Sequence, residues 1–226
     1  LRGRKSGFLS FISALAFIST SLGVAVLIIV SSVMNGFEKE LQERVLNVIP
    51  HASIYGINPL DDWENIELNL YGDKNILGIS PYIETEALIK SRFSVAGTLV
   101  NGVSPDKDKT VSVIHEYMKE GSFSNLQDNN GLIIGKLLAR KLDVDLGDKV
   151  SLILPDNNSS FAGYFPRSKV FKIVGIFNVG SKDIDETLAY VSLENAGILT
   201  GLENKIHGFR LKYNNPVSYT HLRAHE

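Results

Sequence analysis

The sequence has 226 residues, 44% hydrophobic and 21% charged, with 23 basic against 25 acidic side chains. A net charge of −2 argues against the basic face of a nucleic-acid-binding protein, and zero cysteines exclude thiolate metal sites and disulfide frameworks within it. The balanced average hides an asymmetry that a purely cytosolic enzyme would not show: residues 6–37 contain no Asp, Glu, Lys or Arg.

Within that run, residues 8–34 form a stretch of 27 positions, about 40 Å as a helix against a hydrocarbon core of roughly 30 Å. A signal-peptide core is about 7–15 residues and ends at an Ala-x-Ala-like site. Here the apolar run is longer and passes directly into Met34-Asn-Gly-Phe-Glu38, so a retained membrane helix is expected. Arg2, Arg4 and Lys5 flank its start, whereas the far flank mixes charges, which places residues 1–7 in the cytoplasm and the remainder outside the membrane. Small residues recur four apart, with Ser19 and Gly23 among them, a spacing that lets another helix approach closely in lipid. Over residues 35–49 an amphipathic stalk is predicted. Phe37, Leu41, Val45 and Val48 fall on one stripe, polar residues fill the other faces, and Pro50 ends the helix.

The remainder, residues 50–216, reads as an α+β domain. Residues 51–57 are strand-like, and Asn58-Pro59 offers an N-cap with proline at the first helical position, leading a helix through Trp63, Ile66 and Leu70. Residues 86–91 and 94–103 alternate as two paired strands around Ser91-Arg-Phe93. A strand–helix–strand unit follows over 131–135, 136–142 and 150–154, with further strands at 170–177, 187–193 and 208–213 and a helix at 193–202. Residues 155–168 form a loop long enough to expect a function for it. Boundaries near Pro50 and Tyr213 fall at element ends, so this domain is expected to fold without the apolar helix.

Signals for catalysis are sparse. Gly135-Lys136 resembles part of a phosphate loop, but Asn130 and Leu137 stand where Gly and Ser or Thr are required. The five histidines lack metal-ligand spacing, and His115-Glu116 reads as a solvated pair. Asp183, Asp185 and Glu186 crowd one turn, read as a solvated loop in preference to a cation site. No Gly-x-Ser-x-Gly elbow is present. The chain is therefore not expected to be an enzyme.

Leu22-Gly-Val-Ala-Val-Leu-Ile followed by Ser32-Val-Met-Asn-Gly-Phe-Glu-Lys-Glu-Leu41 resembles the first membrane helix of LolC/LolE-type lipoprotein-releasing permeases. The likeness continues through Val48-Ile-Pro-His51, Asn101-Gly-Val-Ser-Pro105, Ile133-Ile-Gly-Lys136, Leu146-Gly-Asp-Lys-Val150 and Phe171-Lys-Ile-Val-Gly-Ile-Phe177. It implies a MacB-like periplasmic domain, with a porter-like α/β part and a β-rich part, inserted after the first of four membrane helices. It further implies a bacterial inner-membrane location and a second permease subunit. A cytoplasmic ATPase dimer would hold ATP and Mg, and no cofactor would sit on this chain. Lipoproteins would be extracted from the inner membrane and passed to a periplasmic carrier. Residues 217–226 continue nothing in the family and are expected to be a truncation or read-through tail, so the chain is not expected to transport alone. Trp63 and Pro81-Tyr-Ile83 lean towards the E type, the long loop towards the C type.

By position in the family motif, Val30, Val33, Met34, Phe37 and Leu41 would contact lipoprotein, and Met34 is a flexible apolar side chain suited to varied acyl chains. Phe161, Tyr164, Phe165, Pro166 and Arg167 would form the carrier-docking loop, with Lys169 a basic position at its base. Two alternatives stay open: a single-pass adaptor whose outer domain binds a protein, and a macrolide-exporter or cell-division permease of the same superfamily.

Overall fold

The computed structural model describes residues 3–41, 52–73, 75–128, 130–154, 167–202 and 204–213, with side chains given from residue 7 and not for 38–41. The chain divides into two compact units, Leu1–Glu43 and Arg44–Glu226.

The first unit is helix α1, Gly3–Leu41. Residues Gly7–Phe37 make it long and apolar enough to cross a membrane. Its polar side chains do not interrupt it: the Thr20 hydroxyl donates to the Ala16 carbonyl at 2.9 Å, one turn back. That local bond satisfies a hydroxyl which hydrocarbon could not.

The second unit is α+β, as expected. In chain order it comprises β1 (Ala52–Leu60), α2 (Trp63–Leu70), β2 (Ile76–Lys90), β3 (Val95–Val103), α3 (Pro105–Val111), β4 (Met118–Gly121), β5 (Gly131–Gly135), α4 (Lys136–Leu142), β6 (Lys149–Leu154), β7 (Arg167–Phe177), α5 (Lys182–Thr187), β8 (Leu188–Ser192), α6 (Leu193–Thr200) and β9 (Ile206–Tyr213). Among the described residues the strands form one nine-stranded sheet in the order β1-β9-β2-β3-β8-β5-β7-β4, and β6 pairs with both β2 and β7. That double pairing joins β2, β3, β8, β5, β7 and β6 into a closed ring. β9 and β1 extend from the other half of β2. Most neighbours are antiparallel, but β3–β8 and β5–β7 run parallel.

Two apolar clusters flank the ring's walls. Leu132 and Ile134 of β5, Ala189 and Val191 of β8, and Phe171 and Ile173 of β7 share the larger cluster with α4 and α6. Ile133 and Tyr190, the alternate residues, face the smaller cluster with Phe123, Phe177 and Ile184. β5 (Gly-Leu-Ile-Ile-Gly) is therefore buried on both faces, which is why it reads as an unbroken apolar run instead of an alternating one.

Some sequence expectations shift. Asn58-Pro59 does not open a helix. Both residues lie in β1, where the register with β9 slips between Tyr55 and Leu60, and α2 starts only at Trp63 behind Asp62. Proline is tolerated there because β1 is an edge strand with a local irregularity and needs no donor. The β2–β3 hairpin closes on Ser91, whose N–H donates to the Ser94 carbonyl at 2.9 Å; its hydroxyl donates to the Leu142 carbonyl at 2.7 Å and ties the turn to α4. The stalk beyond Leu41, including Val45 and Val48, lies outside the described residues.

Asp185 corrects the reading of the acidic turn as solvated. Its carboxylate is buried and accepts the backbone N–H groups of Val179 and Gly180 at 2.8 and 2.9 Å. This clamp folds α5 over the end of β5, where a Cβ at Gly135 would come within 2.2 Å of the Asp185 carbonyl. Gly135→Ala is therefore expected to cost about 1–3 kcal/mol through forced displacement of α5. Chemical denaturation compared with the parent chain measures it; an unchanged midpoint would show that α5 yields freely.

Candidate functional site

Four regions carry side chains with functional potential. On α1, residues 30, 33, 34, 37 and 41 fall within one arc of roughly 100°, at 100° per residue. Val30, Val33, Met34 and Phe37 are all exposed, and Met34 keeps 62% of its surface open. Ser19 and Gly23 lie on the same arc two to three turns earlier, and a Cβ at Gly23 would meet nothing within 4 Å. The helix thus carries small residues in its middle and bulky apolar ones towards its end on a single face. The Leu41 side chain lies outside the described residues.

The second region is the β6–β7 hairpin. Leu154 pairs with Arg167 and Leu152 with Lys169, so the connection emerging from it is residues 155–166. Phe161, Tyr164, Phe165 and Pro166 lie outside the described residues. Both basic residues at its base lean on α6. The Lys169 ammonium donates to the Asn195 Oδ1 at 2.7 Å and lies 5.7 Å from the Phe171 ring centre. Gly201, the left-handed residue that ends α6 at φ 76°, leaves room for the Arg167 guanidinium, which a Cβ there would meet at 1.7 Å. A cation at a helix C-terminus is favourable with the carbonyl dipoles. Lys169 is thus held in place, and Arg167 stays exposed at the hairpin's mouth.

The third is a groove of about 620 Å³ at the far end of the sheet, which the sequence did not indicate. The parallel strands β3 and β8 end side by side, Val103 opposite Ser192, and each hands over to a helix that begins on the groove's rim. The N-terminus of α2 completes it with Trp63, whose indole N–H donates to the Asn204 carbonyl at 2.9 Å. Lys107 on α3 is held by both oxygens of buried Glu67 on α2, at 2.7 Å each, while its ammonium lies 5.5 Å from the Trp63 ring centre.

The fourth is a buried polar cluster on the sheet. Arg210 of β9 donates to the Asn101 side chain of β3 and lies 3.4 Å from Glu84 of β2, with its guanidinium 4.8 Å from the Tyr82 ring centre. The Glu84 N–H donates to His207 Nδ1 at 3.1 Å. Asp108 of α3 is fully buried, and among the described residues neither carboxylate oxygen has a hydrogen-bond partner. Burial pushes its carboxyl up to about 6 against an opposing pull from Arg210, and burial also raises the Tyr190 phenol. Sequence spacing gave no sign of this cluster, because Arg210 comes more than a hundred residues after Tyr82, Glu84, Asn101 and Asp108. His115, expected to be solvated, is half-buried and its Nδ1 donates to the Ser112 carbonyl at 3.1 Å. Among the described residues no three His, Asp or Glu side chains gather into a metal-binding group.

A helix long and apolar enough to cross a membrane, followed by a mixed α/β domain, defines the class: a chain that joins a bilayer-length apolar helix to a folded domain. The chain belongs to the family of the MacB-like periplasmic core domain, whose model matches residues 13–224. It is similar to the lipoprotein-releasing system transmembrane protein LolC of Neisseria meningitidis serogroup B, with 36% identity over 227 residues, 99% of this chain and 55% of that protein. The transmembrane protein LolE of Haemophilus influenzae is 31% identical over 228 residues, 98% of this chain and 55% of that protein. The chain thus spans about half the length of these relatives. The extracellular domain of the noncanonic ABC-type transporter YknZ from Gram-positive bacteria shares its fold, with a TM-score of 0.50 and 11% identity over 73% of this chain and 79% of that one.

Asp108 sets a pH dependence of stability. A carboxyl whose pKa rises from 3.8 unfolded to about 6 folded binds its proton more tightly in the native state. Its destabilising contribution is absent below the unfolded value, grows between about pH 4 and 6, and is complete above 6. At 1.36 kcal/mol per unit the penalty reaches about 3 kcal/mol at neutral pH. Asp108→Asn is therefore expected to raise the melting temperature at pH 7.5 and to have little effect near pH 4. A variant that loses stability equally at both pH values would show that the carboxylate is satisfied when charged.

Proposed function

We propose that this chain acts within a membrane subunit of an ATP-driven ABC transporter that extracts lipoproteins from the inner membrane and hands them to a periplasmic carrier. The observation that carries this reading is the 36% identity to a lipoprotein-releasing transmembrane protein, over a match that covers both the apolar helix and the domain. In this reading ATP and Mg belong to a separate cytoplasmic ATPase dimer, and a second permease subunit completes the membrane part. The N-terminus is cytoplasmic and the α+β domain periplasmic, in keeping with the basic residues at 2, 4 and 5. The α1 face from Val30 to Leu41 then meets the lipid-anchored substrate where the helix leaves the bilayer. Acyl chains differ in length and saturation, and an exposed strip of Val, Met and Phe accepts them through apolar burial without fixed geometry.

Photo-crosslinking amino acids at Met34 and Phe37, placed in the assembled transporter, are expected to capture lipoprotein. Capture of a neighbouring permease alone would assign the face to helix packing. At the other end, Phe161, Tyr164, Phe165, Pro166 and Arg167 are proposed to engage the carrier, since Tyr, Phe and Arg are types that anchor interfaces. Tyr164→Ala with Phe165→Ala is expected to weaken carrier pull-down by roughly 2 kcal/mol or more while leaving the melting temperature unchanged. Intact pull-down with a lower melting temperature would return both rings to the domain's own core.

A further inference from the structure

The groove bounded by α2, α3 and α6 is used by neither the α1 face nor the β6–β7 hairpin. We propose that it docks an extended cationic segment of a soluble protein partner. Its place in the domain fits such a partner. The domain's chain enters at Ala52 and leaves at Tyr213, and both lie at one end of the sheet, where Ala52 pairs with Leu211 and Ile76 with Tyr213. The groove lies at the opposite end, where Leu60 pairs with Ile206, roughly 25 Å away along the strands. It therefore lies at the end of the sheet opposite Ala52 and Tyr213.

The charges of its lining select the sign of the occupant. Two ammonium groups reach it, and each is already matched: Lys107 by Glu67 at 2.7 Å and Lys205 by Asp61 at 2.9 Å. The carboxylates are not matched in this way. Glu64 and Glu194 are exposed and have no ion-pair or hydrogen-bond partner among the described residues, and Asp62 accepts only the neutral Asn65 amide. Uncompensated charge in the groove is thus negative. Glu64 and Glu194 also occupy the first turns of α2 and α6, where they offset the positive helix ends that would otherwise attract an anion.

The walls select the shape. Trp63, Pro81, Ile83 and Leu193 give an apolar floor. The Lys107 ammonium, 5.5 Å from the ring centre, shows that this aromatic already accepts a cation. An arginine or lysine with its apolar stem on that floor and its charge between Glu64 and Glu194 satisfies both features. A volume near 620 Å³ holds a few side chains of such a segment.

Trp63 is the chain's single tryptophan, so its emission reports the groove directly. The full chain in uncharged detergent is titrated with a capped pentapeptide alternating leucine and arginine, and with its glutamate counterpart. The expected result is a saturable change in emission with the arginine peptide, abolished by high salt and absent with the glutamate peptide. Glu64→Gln combined with Glu194→Gln is expected to weaken the arginine peptide roughly tenfold, whereas Glu86→Gln, on another face, leaves it unchanged. Equal binding of both peptides, preference for the glutamate peptide, or calorimetric binding with no Trp63 response would overturn the proposal. Lipoprotein release does not enter this experiment, so its outcome and that of the transport reading are separable.

Discussion

Strand β2 is the constraint on which the domain depends. Its fifteen residues, Ile76–Lys90, serve three neighbours in succession: β9 along the first half, β3 along the second, and β6 at the last three positions. Because β6 also pairs with β7, the last of these contacts closes the ring. Without Leu88, Ile89 and Lys90 opposite Ile153, Leu152 and Ser151, the sheet would have two more edges and the larger core would open to water. Burial along β2 follows this division. Residues 78–83 are buried on both faces, where β9 lies alongside and helices cover the sheet, and beyond Glu84 alternate residues turn outward as the strand becomes barrel wall.

Closure also explains where the candidate surfaces lie. A ring with two parallel pairs must return the chain by helices, and α3 and α6 begin where β3 and β8 end together. Their starts necessarily share one rim, and α2 arrives at the same rim because β1 runs antiparallel to β9. The groove is therefore a by-product of topology, in the manner of crevices at strand ends in α/β sheets. The β6–β7 hairpin, in contrast, is a local antiparallel element whose connection is free to lengthen without disturbing the ring. Its base is fixed by Lys169 to Asn195 and by Arg167 at the end of α6.

Much of the fold was legible because its signals are local. The uncharged run announces α1, the β5–α4–β6 unit follows its Gly punctuation, and alternation marks the β2–β3 hairpin. What escaped was set by tertiary contact. Asn58-Pro59 is a sound helix-start signal in isolation, but pairing with β9 claims that stretch as strand. Ser104-Pro105 carries the same signal and does open a helix, yet at seven residues α3 has too little periodicity to be read. Asp185 looks solvated among its acidic neighbours and is instead a buried clamp, because two backbone N–H groups replace its water. Asp108 and Arg210 meet only through the sheet, and no spacing rule connects them. The α1 face was legible as pattern alone, and the groove was not legible at all.

Ser19, Gly23, Val30, Met34 and Phe37 lie on one face, so a neighbouring helix and a substrate would compete for it unless they are separated along the axis. Side-chain size supplies that separation. At Ser19 and Gly23 only a hydroxymethyl group and a hydrogen project, and another helix can approach to small-residue distance. Two turns later Val30, Val33, Met34 and Phe37 project fully and hold a neighbour off. Under the transport reading, the pair of helices then meets in the middle of the bilayer and diverges towards the end that leads into the domain. The space left between them is walled by apolar side chains and tapers inward, as an acyl chain leaving the bilayer requires. Packing and substrate contact are in that case two levels of the same face, set by where along it the side chains change from small to large.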